Sequence, residues 1–355
     1  CDLYRKGAAD GTLCIPVCES KEIFSLSCHA YHTVKETVFG AIWGDTKLVF
    51  KLADTAIPAL HWYDNGALKY PTEKEFISTI RAVTKNMLNH TLSNDVINKL
   101  AHFKPKHKES DLNKRRTEMD NIWILIQDNE YLLSSAYSNR DVFPQVLGTC
   151  GPYFAVEYVE PMPEPFSILY DKDTRENWGQ NLKYSLLLME LLEELENNFK
   201  EPLHLCDVKL RDFGVTDPEN GRVKILDLDA IYPKSIINKF LKNIGSCEQD
   251  EDCKIFDCRG KCNKERQCDS TVSNNNLQII CEKIFLGWRM SNRMLLPGLL
   301  LSQYAPAELM SVLRQCANPE NEDRVPRAAA HEDIKKRLYS ILVDVEQAVN
   351  TDPYL

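Results

Sequence analysis

Asp207, Asp212 and Asp227 follow one another at intervals of five and fifteen residues, and far upstream Lys51 closes the apolar stretch "TKLVFK". Carboxylates at turns and strand ends hold hard divalent cations or accept a proton from a hydroxyl. A lysine supplies a point charge that reaches phosphate oxygens. As a set, the four residues imply chemistry on a phosphorylated small molecule with a divalent cation. Taken singly, each has an ordinary role, since a strand-end lysine is usually solvated and an aspartate at a turn is usually a cap. Order and spacing carry the inference.

Residues 212–214 read Asp-Phe-Gly, the triplet with which protein kinases hold magnesium. Were Asp212 that aspartate, a catalytic-loop aspartate would stand about 20 residues upstream. Residues 190–198 read "ELLEELENN", a helical stretch without one. Placing the catalytic aspartate at Asp207 repairs the register. Asp212 then takes the position where most kinases carry a metal-binding Asn. The turn "TDPENG" and the alternating "RVKILDLD" come next, and they deliver Asp227 into the metal-binding place. Leu-Asp stands after it instead of Phe-Gly. The literal triplet is a coincidence of letters. The predicted arrangement has Asp227 facing Asp207 across a crevice, with Lys51 opposite.

Several elements must position these residues. "KETVFGAIWGDTKLVFKLAD" alternates apolar and polar residues across a turn flanked by Gly40 and Gly44, which reads as a hairpin ending at Lys51. The two glycines do not complete G-x-G-x-x-G, so a phosphate-covering loop is expected there without its motif. Thr72-x-x-Glu75 opens a predicted helix, and Glu73 or Glu75 is expected to hold Lys51, with the choice open. One further helix is expected through "EMDNIWILIQDNEYLLSSAY". "PYFAVEYVE" reads as a strand entering a hinge, where backbone groups near Glu157 and Val159 would meet a nucleotide base. "PMPEPF" is a connector, and "NLKYSLLLMELLEELENNF" is a long amphipathic helix with Leu182, Leu186, Met189, Leu192 and Leu195 on one face. The tail from "NLQIICEKIF" onward is predicted helical. The expected fold class is α+β, a two-lobed protein-kinase-like fold with disulfide-rich insertions. Its parts are a cysteine-rich segment at 1–30, an N-lobe at 31–160 with a polar insertion at about 104–120, and a C-lobe at 161–355 with a cysteine cluster at 247–281.

The net charge of −9 excludes a nucleic-acid surface, which needs a basic stripe. No run of about 18 apolar residues could span a bilayer. The chain opens at Cys1 without methionine and is read as a mature form or luminal fragment, attached to a membrane only through an anchor outside it.

Thirteen cysteines point to compartment. Cys1, Cys14, Cys18 and Cys28 crowd the start, and Cys247, Cys253, Cys258, Cys262, Cys268 and Cys281 form a second group. Cys150, Cys206 and Cys316 stand apart. Gaps in the second group run five, four, three, five and twelve residues, with no C-x2-C anywhere, so disulfides are expected over zinc. The two groups supply the ten disulfide candidates. An odd count leaves one thiol free or bonded to another chain. Asn89-His90-Thr91 is a glycosylation sequon and agrees with an oxidising, secretory setting.

The opening Cys1, "GTLCIPVC" and Cys28 lead a series continued by "AIWGDTKLVFK", "NIWILIQDNEYLL", "GTCGPYFAVEYVE", "LCDVKLRDFGV", "CEQDEDCKIFDCRGKC" and "NLQIICEKIF". Over nearly its whole length the sequence resembles the divergent protein kinase domain family, the cysteine-rich type II membrane group of the secretory pathway (family with sequence similarity sixty-nine). The resemblance implies a protein-kinase-like fold, a luminal setting in the endoplasmic reticulum or secretory route, and structural disulfides. Members often carry an EF-hand calcium loop, whose counterpart here is "HKESDLNKRRTE", residues 107–118. An EF-hand wants Asp first and Gly sixth. His107 and Leu112 stand there, Lys114, Arg115 and Arg116 crowd the loop, and only Glu109, Asp111 and Glu118 fit. No tight calcium binding is expected. A second departure is Asp212 in the Asn position, which adds charge to a cleft already holding Asp207, Asp227 and Asp229; the site either favours Mn²⁺ or Mg²⁺ with ATP or is degraded.

Two functions are consistent with these residues. In one, the chain is a secretory kinase that moves phosphate from ATP to a hydroxyl of a protein or glycan. Asp207 and Lys51 would be catalytic, with Glu75, Glu157 and Val159 around the nucleotide and Asp212 and Asp227 on Mg²⁺ or Mn²⁺. In the other, it is a pseudokinase, a disulfide-braced scaffold that binds a partner. The missing Phe-Gly and A-P-E favour the second, as does the cysteine cluster standing where kinases carry a movable segment.

Overall fold

A computed structural model describes residues 1–31, 37–103, 112–163, 173–217, 221–290 and 293–351. Outside them lie the start of the 107–118 stretch, the end of "PMPEPF" and the middle of the "TDPENG" turn. The chain forms two compact units. One is Cys1–Glu160 together with Asp227–Asp229; the other is Pro161–Leu226 with Ala230–Leu355.

The first unit is built on five antiparallel strands: β1 Ile23–Tyr31, β2 Thr37–Trp43, β3 Thr46–Leu52, β4 Val146–Cys150 and β5 Tyr153–Glu157. Their order is β1-β2-β3-β5-β4. The expected hairpin is β2–β3. It turns at Gly44 and Asp45, with Gly44 at φ +59, while Gly40 sits within β2 opposite Val49. Alternation along β3 sends Leu48 and Phe50 into a core with Leu13, Ile23, Ala41 and Ala155. Lys51, between them and the strand end, pairs in register with Phe154.

Helices close the unit. α1 Glu73–Leu88 starts with the predicted capping box at Thr72 and Glu75, and buries Phe76, Ile80, Thr84 and Leu88 at four-residue spacing. α2 is Asn94–Leu100. The single helix expected next is two, α3 Leu112–Leu125 and α4 Asn129–Ala136. Asp128 breaks it: its backbone is extended and its side chain accepts the Tyr131 amide, so it N-caps a new helix instead of continuing the old one. Residues 112–118 of the EF-hand-like stretch are helical, and the Glu118 carboxylate is shared by Arg115 and His102.

The cysteine-rich start belongs to this unit. Cys1 bonds Cys18, and Cys14 bonds Cys150 on β4. Gly11 is needed there, because a Cβ would come within 2.1 Å of the Thr149 carbonyl oxygen.

In the second unit, α5 Arg175–Asn197 buries Leu182, Met189, Leu192 and Leu195 as expected, with Leu188 replacing the half-buried Leu186. Strand β6 Leu203–Leu205 pairs with β9 Ile231–Pro233, and β7 Phe213–Val215 pairs with β8 Val223–Ile225, both antiparallel. Four disulfides brace the unit from Cys206 onward: Cys206–Cys258, Cys247–Cys262, Cys253–Cys268 and Cys281–Cys316. Helices α6 Lys234–Ile244, α7 Asn276–Ile280, α8 Ala307–Ala317 and α9 Glu332–Thr351 complete it. Among the described residues, no helix is long and apolar enough to cross a membrane.

Candidate functional site

Lys51 meets Glu130, a residue of the first turn of α4. Their charged atoms lie 2.5 Å apart, and the two side chains are 13% and 5% exposed. Burial pushes the Glu130 carboxyl above its ordinary range, the Lys51 ammonium opposes that, and Asp229, Asp227 and Asp128 reinforce it. The capping residue Asp128 is pushed up to about 6, by burial first, with the Tyr131 amide opposing and Asp229 adding to the rise.

The same helix end grips the segment Asp227–Leu228–Asp229. Glu130 Oε1, the oxygen that faces Lys51, also accepts the Leu228 amide at 2.9 Å. Asn129 Nδ2 donates to the carbonyl oxygens of Leu228 at 2.7 Å and Asp229 at 3.4 Å. Leu228 is buried, and the Asp229 amide returns to Asp227 Oδ1 at 3.2 Å. Carboxylate oxygens of Glu130, Asp227 and Asp229 all lie within 4.8 Å of one another. Three hard oxygen donors set against a single ammonium leave the cluster net negative. That donor set fits Mg²⁺ or Mn²⁺ and not a soft metal.

Asp207 and Asp212 belong to the second unit. Asp207, two residues past the end of β6, is half-buried and pairs with Lys209 at 2.7 Å. Asp212 is buried; its Oδ2 accepts the Lys209 amide at 3.1 Å, and its carbonyl accepts the Leu226 amide at 2.7 Å. The second bond joins Asp212 to the chain just before Asp227, and the two strands on either side of the turn pair as the spacing predicts.

The partner expected for Lys51 needs correction. Glu75 bonds Thr72 in the capping box, and Glu73 takes two bonds from the buried Arg115, at 2.6 and 2.9 Å. Both serve the start of α1, and Glu130 holds the lysine. The signal for it was the polar triplet Asp128-Asn129-Glu130 interrupting an apolar run. At the expected hinge, the Glu157 amide is committed to the Gln145 carbonyl at 3.0 Å, and the Val159 side chain is buried. Asn89 ends α1 in left-handed conformation and is exposed.

Cysteine assignments also change. Cys28 is a free, exposed thiol and not a disulfide partner. Cys150, Cys206 and Cys316, set apart by spacing, are bonded. The sulfurs of Cys247, Cys253 and Cys262 gather because two disulfides hold them there.

A family model described as the protein-kinase domain of FAM69 matches residues 122–319, and one described as the N-terminal cysteine-rich, endoplasmic reticulum part of FAM69 matches residues 1–102. Among solved structures, the Rv3197–erythromycin complex from Mycobacterium tuberculosis is 15% identical over 92% of this chain and 73% of that one, with a TM-score of 0.28, too low to bear on the fold. The endoplasmic reticulum description and the six disulfides fit a secretory-pathway location. With its kinase-domain match spanning more than half of its length and an α+β, kinase-like fold, this chain belongs to the FAM69 family.

Proposed function

We propose that the chain binds ATP with Mg²⁺ or Mn²⁺ at the Lys51–Glu130–Asp227–Asp229 cluster and passes a phosphoryl group to a hydroxyl of a luminal protein or glycan. One observation carries this reading: a single Glu130 oxygen receives both the Lys51 ammonium and the Leu228 amide. The residue that holds the phosphate-binding lysine thus also sets the segment that bears the cation ligands. Lys51 places its charge on phosphate oxygens, and backbone groups near Val159 meet the base. Asp227 would be the first cation ligand, with Asp229 and Glu130 as the other carboxylates of the set. When bound, the cation neutralises charge that develops on the phosphates. Asp207 orients the acceptor hydroxyl and takes its proton.

A thermal melt with ATP and Mn²⁺ or Mg²⁺, together and separately, tests this. Ligand that binds only the folded state raises the melting temperature by mass action. The pair is expected to stabilise the chain, and Asp227→Ala to abolish the shift. A shift that survives Asp227→Ala refutes the cation assignment.

The scaffold reading has its own support. Cys206–Cys258, Cys247–Cys262 and Cys253–Cys268 cross-link residues 247–268, a region that a regulated kinase leaves free to move. Melting curves unchanged by every nucleotide and metal favour that reading.

A further inference from the structure

Two consecutive residues, Asp257 and Cys258, grip the chain on both sides of Asp207. Cys258 is bonded to Cys206, 52 positions earlier. Asp257 Oδ2 accepts the Val208 amide at 2.9 Å, and the Asp257 amide donates to the Cys206 carbonyl at 2.6 Å. The other Asp257 oxygen lies 2.5 Å from Lys283 Nζ, and Asn274 Nδ2 donates to the Asp257 carbonyl at 2.8 Å. The Cys206 amide donates to Ala230, which ties the same residue to the strand pair below. Cys206, Cys258, Asp257 and Asn274 are all buried, while Asp207 between the two anchors keeps its carboxylate partly exposed beside Lys209.

A disulfide alone fixes one neighbour of Asp207 and leaves the peptide plane on the other side free to rotate. The bond to Val208 removes that freedom. Pinning residues 206 and 208 together determines the backbone at 207, which sets the direction of its side chain. Such a fixed direction is what a proton acceptor needs, since displacement by about 1 Å costs on the order of 100-fold in rate. Lys283 pairs with the buried carboxylate that makes the second anchor.

We propose that Asp257 is a positioning residue for Asp207, forming with Cys258 a two-point clamp. The clamp rests on the phosphotransfer reading only for the purpose of the held side chain; the holding itself is independent of it. Hydrogen exchange on the intact native protein reads the holding directly. The Val208 amide is expected to exchange as slowly as the neighbouring strand amide of Leu205, and rapid native exchange at Val208 overturns the clamp without any variant.

Asp257→Ala is expected to speed Val208 exchange about tenfold or more, the loss of a buried bond. It should also lower kcat for ATP-dependent phosphate transfer by on the order of 100-fold while the affinity for ATP with Mn²⁺ stays near the native value. Asp257→Asn, which keeps an acceptor for Val208, should restore most of both. A kcat unchanged in Asp257→Ala, or one that falls only together with nucleotide affinity, refutes the positioning role. If the native chain binds and turns over no nucleotide, the phosphotransfer reading fails, and the exchange of Val208 still decides the clamp.

Discussion

Glu130 Oε1 stands 2.5 Å from the Lys51 ammonium and 2.9 Å from the Leu228 amide nitrogen. One buried oxygen therefore supports two segments that lie far apart in the sequence. Glu130→Gln keeps an acceptor for Leu228 and loses the charge that balances Lys51. It is expected to fold and to lose most of the stabilisation by ATP with Mn²⁺ in a thermal melt. Glu130→Ala strands both partners. Removing one member of a buried ion pair costs about 3 to 5 kcal/mol, and urea unfolding should show a loss of that size. Equal stability in the Gln and Ala variants would falsify the double role.

Asn129 performs the quieter half of the same task. Its amide nitrogen reaches the Leu228 and Asp229 carbonyl oxygens, and so fixes the segment between two carboxylates that the proposal gives to the cation. Asn129→Ala is expected to cost about 1 kcal/mol in stability, the usual net worth of such a bond. Its larger effect should be on Mn²⁺ affinity, which is expected to weaken about tenfold, as for other residues that orient metal ligands. Titration of Mn²⁺ by calorimetry with ATP present reads the affinity, and urea unfolding reads the stability. An unchanged affinity means that the segment holds its shape without this residue.

His204 sets a limit on acid stability. Burial, with Lys234 adding to it, pushes the imidazole down to about 4 from its ordinary 6.5, and among the described residues no partner meets its Nδ1. The folded pKa lies below the unfolded one, so the unfolded chain takes up the proton first as pH falls. Stability is complete above about pH 6.5 and declines between there and pH 4, by roughly 3 kcal/mol in all. Melting temperature should drop across that interval, and His204→Phe should flatten this part of the curve. The same slope in wild type and variant assigns the acid loss to other groups.

Much of the candidate site was legible because it lies in local order. Lys51 at the end of an alternating strand, the helix start at Thr72, and two short strands leading to Asp227 are all patterns of adjacent residues, and the structure keeps each. Glu130 was hidden by a competition that periodicity does not register. The apolar run from Ile122 to Leu133 reads as one helix, but Asp128 gains more by capping a second one than by continuing the first. Glu75 was attractive because of its place after the strand, but an acid at the third position of a capped helix is already engaged by its own cap. Disulfide partners were beyond reach for another reason. Cys14 pairs across 136 positions and Cys206 across 52, distances set by the folded chain and not by spacing.

Cys28 was grouped with the N-terminal cysteines by proximity in sequence, yet it stands on β1 opposite Phe39, at the edge of the sheet and exposed. Cys14 has its partner in Cys150, and Cys1 has Cys18, which leaves this thiol over. Bonded sulfurs do not react with a maleimide, and an accessible thiol does. Folded, unreduced protein should therefore take up one maleimide per chain by intact mass, and Cys28→Ser should take up none. Because the side chain faces solvent, that substitution should leave stability within about 0.5 kcal/mol of native. Two or more labels on the folded chain would mean that one of the six disulfides is not formed. A labelled peptide other than the one carrying Cys28 would reassign the pairing. Zero labels, with a band of doubled mass that disappears on reduction, would place this sulfur in a bond between chains.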